Sequence, residues 1–205
     1  MQVKSRSSSI PPSSARRSCA VDRPAGRLPV TWARNLTDYA ATDPKHPERS
    51  MKGVDGKTTY SEGVNVGYRW FDKENIAPLF AFGHGLSYTT FEYSGLKVEK
   101  ASDGGLDVKV NIKNTGSVDS DEVPQVYRGA PSEIPQGVQF PVRALVAFDR
   151  VHLAAGEGKA VTLHVEPRQL QYWSTADGKW DTASGKRTVS IGASSRDLRL
   201  EQAID

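Results

Sequence analysis

The sequence predicts a mainly β protein, an antiparallel β-sandwich preceded by an extended, mostly irregular N-terminal segment. Over residues 106–113, apolar Leu, Val, Val and Ile alternate with Asp, Lys, Asn and Lys. This two-residue period is typical of a strand that has one face on a core. Further short strand candidates follow, separated by turn residues at intervals of about 8–12 positions and without a helical period. Together these observations favour a sandwich of two sheets.

The first residues form a basic tail. Residues 1–19 are rich in Ser, Arg and Pro and hold four basic residues and no acidic one. Without those four charges the net charge of +3 becomes −1, so the basic balance gives no support for a nucleic-acid surface. Such a segment cannot bury enough apolar surface to offset its ordering entropy. We expect residues 1–23 to be disordered or an incorrectly assigned start, in preference to an organelle transit peptide.

Cysteine usage and apolar runs exclude several classes of protein. Cys19 is the only cysteine, so the chain can form neither an internal disulfide nor a thiolate metal cluster. It contains no run of about 18 apolar residues, as a membrane-spanning helix would need, and its N-terminus lacks the apolar core of a secretory signal. Asn35 begins an Asn-Leu-Thr glycosylation sequon, which matters if the chain enters a secretory pathway.

Residues 24–59 are polar and rich in Pro and Gly. Residues 30–32 are a short strand candidate, because Pro29 can lead a strand without donating to its ladder. The remainder predicts a long loop without an element of its own, which indicates a segment lying across another body.

Residues 60–91, which we call the aromatic seam, hold eight aromatic side chains spaced by glycines and interrupted by Pro78. Glycines allow close backbone approach and the rings bury large areas, so the pattern predicts an interface between two domains. Within the seam we predict a short helix over 67–73, capped by Asn65 or Ser61 and ended at Asn75. An extended run over 79–82 and a tight turn over 83–85 follow.

The strand candidates after the seam lie at 96–98, 106–112, 123–127, 142–151, 160–165 and 187–192. Pro124 suggests an edge position for its strand. Val123, Gln125 and Tyr127 share one face of that strand, and Val126 lies on the other. The predicted core comprises Leu106, Val108, Val110, Ile112, Val123, Val126 or Tyr127, Leu145, Phe148, Leu153, Val161, Leu163, Val165, Leu170, Trp173, Val189 and Ile191.

Seven stretches, in collinear order, resemble the end of the glycoside hydrolase family 3 β-glucosidases. They are PAGRLPVTW at 24–32, YSEGVNVGYRWFD at 60–72, PLFAFGHGLSYTTF at 78–91, NIKNTGSVDSDEVPQVY at 111–127, RALVAFDRVHLAAGE at 143–157, VEPRQLQYW at 165–173 and VSIGASSRDLRL at 189–200.

The resemblance implies a division of the chain. In the family a barrel-type domain is followed by an α/β-sandwich domain and then by an immunoglobulin-like, fibronectin type III-like domain. Residues 24–90 are then the last piece of the α/β-sandwich domain with its linker, and residues 91–201 are the fibronectin type III-like domain. Residues 1–23 do not match.

The resemblance also implies a reaction, the retaining hydrolysis of terminal β-D-glucosyl residues by an aspartate nucleophile and a glutamate acid/base. Both carboxylates lie upstream of the PxGRLP motif in the family, so we expect no catalytic residue, cofactor or metal site in this chain. Glu62 and Asp72 are the nearest substitutes. We favour structural roles for them, with Glu62 paired to Arg69 or capping the helix and Asp72 a local helix or turn residue.

Histidines and tryptophans are the other candidates for chemistry. His84, between two glycines, is better explained by a packed turn than by proton donation, and His46, His152 and His164 are too scattered to predict a metal site. Exposed tryptophans stack on sugar rings, but we expect Trp173 to fill the core and Trp180 to cover it partly.

We therefore expect the C-terminal part of a secreted β-glucosidase, inactive alone, that braces the upstream catalytic domains through the aromatic seam. We expect no nucleic-acid or membrane partner. Without those domains, Tyr68, Trp70, Phe71, Phe80 and Phe82 should be partly exposed or folded back on the sandwich. The alternatives are a stand-alone carbohydrate- or cell-wall-binding module with weak carbohydrate contact through the tryptophans, and an assembly partner for a separately encoded catalytic half.

Overall fold

Eleven antiparallel strands make up most of residues 91–205 in the computed structural model, which describes residues 24–205. The strands are β1 Phe91–Lys100, β2 Leu106–Asn114, β3 Ser120–Glu122, β4 Gln125–Gly129, β5 Arg143–Phe148, β6 Val151–Leu153, β7 Gly158–Val165, β8 Tyr172–Ser174, β9 Lys179–Asp181, β10 Arg187–Ser194 and β11 Asp197–Ile204. The predicted mainly β fold is confirmed.

Two main sheets form the sandwich. One has the strand order β1-β2-β7 and the other the order β11-β10-β4-β5, while β3 pairs with β6 and β8 with β9. Strand β2 alternates buried and more exposed residues along its length, as its sequence period predicts. Its buried side chains meet those of the facing sheet in one core made of Tyr93, Leu106, Val108, Val110, Ile112, Val126, Leu153, Leu163, Val165, Val189 and Ile191.

Three predictions about the sandwich are wrong. Strand β4 pairs with β10 on one side and β5 on the other, so Pro124 directly precedes a central strand and not an edge strand. Phe148 ends β5 with 67% of its surface exposed, and Trp173 is 50% exposed on β8. Both side chains lie outside the core cluster.

The segment before β1 holds little regular structure. It contains short 3₁₀ turns at Leu36–Asp38, Ala40–Thr42 and Pro47–Arg49 and one α-helix, α1, at Tyr68–Lys73. Helix α1 confirms the predicted helix, yet its N-cap is Gly67 at φ 55°, in place of Asn65 or Ser61. Asn75 follows the helix at φ 52°. The predicted strand at 30–32 reduces to a single bridge between Trp32 and Phe80.

The seam covers the outer face of the four-stranded sheet. Val126 of β4 faces the sandwich core, whereas Gln125 and Tyr127 point to the other side and are buried as well. There the Gln125 amide donates to the carbonyls of Ala193 (2.7 Å) and Gly83 (3.3 Å) and accepts from the Tyr127 hydroxyl (2.6 Å). Strand β4 is therefore buried on both faces, which explains its run of buried residues.

One side chain joins the two main sheets at an edge. The Gln202 side chain of β11 accepts a hydrogen bond from the Val98 amide of β1 at 3.0 Å and donates one to the Val98 carbonyl at 3.4 Å. Within residues 24–205, no helix is long and apolar enough to cross a membrane.

Candidate functional site

The aromatic seam packs in two directions. Trp70 and Phe71 of α1 are buried beneath the preceding loop, where the Trp70 indole donates to the Asp38 carbonyl at 3.1 Å and Tyr39 meets Phe71 edge-on at 5.8 Å. The Arg49 guanidinium lies 4.9 Å from the centre of the Trp70 ring. Burial of Trp70 and Phe71 corrects the expectation of partial exposure, because residues 36–49 supply the cover.

The other side of the seam rests on the sandwich. Tyr68 stacks on Phe82 with ring centres 4.8 Å apart and meets Tyr127 edge-on at 6.0 Å. The Tyr68 hydroxyl accepts a hydrogen bond from the Leu145 amide at 2.8 Å. Burial raises the pKa of Tyr127 well above its usual value of 10.0. Tyr68 and Phe82 are folded back on the sandwich, as predicted, while Phe80 stays exposed.

Asp72 ties the seam to the sandwich. Its carboxylate has no solvent exposure and lies 3.1 Å from the Arg143 Nε and 3.2 Å from the Arg196 Nε. Arg196 also donates to the carbonyls of Phe71 and Ile76, both at 3.0 Å. Burial raises the pKa of Asp72, and the two arginines oppose that rise. The prediction of a merely local role is wrong, since the partners of Asp72 come from distant parts of the chain.

Glu62 belongs to a separate ionic group within the N-terminal segment. It is buried, and its Oε2 lies 3.6 Å from the Nε of Arg49, not of the predicted Arg69. Arg49 donates to the Ser61 hydroxyl (2.7 Å), which in turn donates to Glu48 (2.6 Å). This last bond is the largest cause that lowers the pKa of Glu48 to about 2. Glu62 and Asp72 are thus held by different arginines and do not form an acid/base pair.

The sandwich carries a groove that the sequence did not reveal. Its volume is about 930 Å³, and it lies between the loop over 130–141 and the hairpin of β8 and β9. Trp173 and Trp180, register partners on that hairpin, meet edge-on at 5.6 Å and are 50% and 44% exposed. Trp173 therefore does not fill the core as predicted, because its side of the short hairpin faces the groove.

Comparisons with known proteins relate this chain consistently to β-glucosidases. The model of the fibronectin type III-like domain matches residues 122–195. The chain is 40% identical over 197 residues to a probable β-glucosidase D of Aspergillus niger and 39% identical over 203 residues to a probable β-glucosidase M of Emericella nidulans. These alignments span 86% and 88% of this chain and 24% and 25% of the relatives.

Solved structures agree with the sequence matches. DesR, a β-glucosidase from Streptomyces venezuelae, superposes with a TM-score of 0.82 at 42% identity, over 89% of this chain and 23% of that one. The GH3 β-glucosidase of Bifidobacterium adolescentis superposes with a TM-score of 0.78 at 34% identity, over 89% of this chain and 26% of that one. Over most of its length, the chain is similar to part of the glycoside hydrolase family 3 β-glucosidases. It spans about a quarter of the length of the relatives it matches.

The histidines of the described chain have structural partners. The His84 ring lies 5.5 Å from Phe80, and its carbonyl accepts from the Leu28 amide. His46 bonds Glu48, and His152 bonds Asp121. None of these contacts assigns His84 to proton transfer, and the packed turn predicted for it is present, with the His84 amide donating to the Ala81 carbonyl.

His164 forms an exposed polar cluster. Its Nδ1 lies 2.8 Å from Asp107, its cross-strand partner, and its Nε2 lies 3.0 Å from Asp103. Ligand atoms of Asp103, His164 and Glu166 lie within 4.8 Å of one another, a grouping that the scattered sequence positions did not indicate. Since carboxylates accept hydrogen bonds, the arrangement favours the doubly protonated imidazolium.

The asparagine of the glycosylation sequon is accessible. Asn35 is exposed and precedes the 3₁₀ turn at Leu36–Asp38, where its amide N–H donates to the Asp38 carboxylate at 2.9 Å. The side-chain nitrogen of Asn35, the atom a glycan would modify, makes a long contact of 3.4 Å to the same carboxylate. Glycosylation of Asn35 stays a prediction. Cys19 and the predicted tail over 1–23 lie outside the described residues.

Proposed function

We propose that this chain is the fibronectin type III-like part of a β-glucosidase, with the adjoining end of the preceding domain, and that it braces the catalytic domains without catalysing hydrolysis itself. Its 40% identity to a named β-glucosidase over most of its length supports the parent activity, which is hydrolysis of terminal β-D-glucosyl residues. The bracing role rests on how the aromatic seam exposes its outer side.

An apolar surface on that outer side carries the proposal. Trp32, Phe80 and Leu86 surround a cavity of about 530 Å³, together with Leu28 and the backbone around Gly26. Trp32 is 52% exposed, and Phe80 and Leu86 are exposed as well. Contiguous exposed apolar surface is typical of sites that contact another protein or a ligand, which supports the proposal. The upstream domains of the parent enzyme are the partner that we propose for it.

The carboxylates of the described chain support the lack of activity. A retaining glycosidase needs two carboxyl groups about 5 Å apart that face one sugar. Glu62 is ion-paired to Arg49, and Asp72 is held between Arg143 and Arg196. Among the described residues that line the groove, Asp177 is the one acidic side chain. Neither Glu62 with Asp72 nor the groove beside the β8–β9 hairpin therefore presents the required pair among the described residues.

An assay on a chromogenic aryl β-glucoside tests the absence of activity. The purified chain is expected to give no turnover above an equal amount of heat-denatured chain. Turnover that is lost in Glu62→Gln, while Glu74→Gln at an exposed position retains it, would refute the proposed inactivity.

Complementation tests the bracing role. The upstream domains of a family 3 relative, expressed without their C-terminal quarter, should recover activity when this chain is co-expressed. Trp32→Ser should reduce that recovery, whereas Val142→Ser, an exposed apolar residue on the sandwich, should not. Equal recovery with both variants would argue against the apolar surface as the contact.

We propose that the parent enzyme is secreted and carries a glycan on Asn35, which the exposure of this residue supports. Secreted expression in yeast followed by endoglycosidase treatment should shift the mass of the wild type but not of Asn35→Gln. An unshifted wild type would exclude the glycan.

Binding of carbohydrate by this chain is a second candidate function. The observation that favours it is the exposure of Trp173 and Trp180 on one wall of the groove, because flat aromatic faces stack on sugar rings. Affinity electrophoresis on soluble β-glucans tests it, and retardation should decrease in Trp180→Ala.

A further inference from the structure

The groove beside the β8–β9 hairpin combines two kinds of wall. Trp173, Trp180, Tyr172 and Phe140 supply aromatic surface. Glutamines at 136, 139, 169 and 171 supply amide groups that can donate to and accept from hydroxyls. The volume of about 930 Å³ lies at the upper end for sites that hold small molecules. This composition suits a ligand with apolar ring faces and many hydroxyl groups.

A buried arginine lies at the floor of this groove. Arg128 belongs to β4, the strand between β5 and β10, and has only 8% of its surface exposed. No residue that the structure describes accepts a hydrogen bond from its Nε or Nη1. A buried donor without an acceptor is costly, and a buried charge without a counter-ion is more so. An anionic ligand would remove this cost.

The other charged residues around Arg128 are mostly positive and also favour an anionic ligand. Arg69 and Arg168 also line the groove, against the single carboxylate of Asp177 among its described lining residues. Asp177 is itself bonded to the Ser174 hydroxyl at 2.8 Å. Burial, followed by the nearby Arg187 and Arg69, lowers the pKa of Arg128 to about 10, still well above neutrality. The groove is therefore positively charged at physiological pH.

We propose that this groove binds a carboxylate-bearing saccharide, such as a uronic-acid oligomer, with the carboxylate on Arg128 and a sugar ring against Trp173. The proposal deepens the second candidate function and rests on it. The unpaired nitrogens of Arg128 are covered in the free protein, and the Phe140 ring lies 5.7 Å from the guanidinium carbon. Phe140 sits on the loop over 130–141, so the loop has to shift when the carboxylate enters.

A saccharide suits the groove better than an acidic peptide. The two tryptophans meet at an interplanar angle of 71°, and Arg168 lies 4.3 Å from the Trp180 ring, so Trp173 retains the freer ring. One stacking ring, several amides and one buried arginine match a sugar with one carboxylate per ring. An acidic peptide has no sugar ring to place against the exposed face of Trp173.

Isothermal titration of the full chain tests the proposal, with tetragalacturonic acid and cellotetraose as probes. Tetragalacturonic acid should bind at least ten times more tightly than cellotetraose. Arg128→Gln should weaken binding of the acidic probe about tenfold or more, as expected for a lost charge-assisted hydrogen bond, and leave the neutral probe unchanged. Trp173→Ala should weaken both probes. Arg150→Gln, an exposed arginine paired with Asp121, is the matched control and should change neither.

Each other outcome overturns the proposal in a distinguishable way. Equal binding of both probes refutes the anionic ligand and leaves carbohydrate binding in place, whereas binding of neither refutes both. Tetraglutamate that binds as tightly as tetragalacturonic acid assigns the groove to acidic peptides. If circular dichroism shows that Arg128→Gln is unfolded, Arg69→Gln and Trp173→Ala replace it. Unchanged affinity for the acidic probe in those two variants would also refute the site.

Discussion

The carboxylate of Asp72 in the aromatic seam lies 3.1 Å from the Nε of Arg143 on strand β5, and no part of that carboxylate reaches solvent. Arg196, in the turn between β10 and β11, approaches the same carboxylate from a different part of the sandwich at 3.2 Å. The three residues join a segment that carries little regular structure to a sheet with a continuous core. A well-defined conformation of the aromatic seam should therefore depend on this contact.

Replacing Asp72 by Asn should destabilise the chain. The variant leaves Arg143 and Arg196 without their counter-charge, and we expect the free energy of unfolding in urea to fall by about 2–3 kcal/mol, less than for a fully buried pair because both arginines retain access to water. Glu74→Gln, on an exposed residue that follows α1, is the control and should change stability by less than about 0.5 kcal/mol. Equal effects of the two variants would contradict the role of Asp72.

Truncating Phe71 should loosen the N-terminal segment. This ring is buried against Tyr39, and a Phe→Ala change in a core usually costs about 3–5 kcal/mol. Hydrogen exchange of the amides in α1 should accelerate accordingly, while amides in β2 keep their protection. Tyr60→Ala, at an exposed seam position, is the matched control and should leave exchange in α1 unchanged. Unaltered exchange in Phe71→Ala would show that the ring contributes little.

Gly83 is constrained twice, by its backbone and by its neighbour. It has φ +79°, and a Cβ atom there would collide with the buried Gln125 side chain. Gly137 has nearly the same angle, φ +77°, but open space around it. Gly83→Ala should therefore lower the free energy of unfolding by about 1–3 kcal/mol more than Gly137→Ala does. Because both substitutions strain the backbone similarly, the difference between them measures the effect of the collision with Gln125. Thermal unfolding of both variants measures the difference, and equal melting temperatures would contradict the close approach of Gly83 to β4.

His164 should make stability depend on pH. The hydrogen bond to Asp107, and after it that to Asp103, raises the pKa of His164 above its usual 6.5. A raised folded-state pKa contributes stability that is complete below the unfolded value and is lost as the pH rises through the folded one. The advantage of the wild type over His164→Gln should therefore decrease as the pH rises from below the usual pKa of 6.5 through the raised folded-state pKa. Melting temperatures of the wild type and of His164→Gln across this pH range test the prediction. When both proteins also carry Asp107→Asn, the decrease in the difference between their melting temperatures should be smaller.

The sequence predicted the parts of the fold that depend on local pattern. The alternation at Leu106–Asn114 gave strand β2 and its buried face, and the aromatic and glycine spacing gave the seam as a contact region. Helix α1 was found as well, although its cap was not, because Gly67 begins the helix with a positive φ and no side-chain hydrogen bond.

The long-range features could not be predicted from local pattern. The partners of Asp72 and Glu62 depend on how distant segments meet, and sequence spacing favoured nearby candidates such as Arg69. Trp173 was placed in the core because of its size, but the short β8–β9 hairpin turns that side outward. Arg128 was not predicted to be a site residue, because the sequence around an arginine in a strand does not show whether its side chain is buried.

The bonds between Gln202 and Val98 have a consequence for self-association. Strand β1 borders its sheet, and free backbone groups on such a border can recruit a strand from another molecule. The Gln202 amide occupies both the N–H and the carbonyl of Val98, so an incoming strand would have to displace it to extend the ladder there. A single amide side chain thus helps to keep copies of this chain from joining edge to edge into fibrillar aggregates.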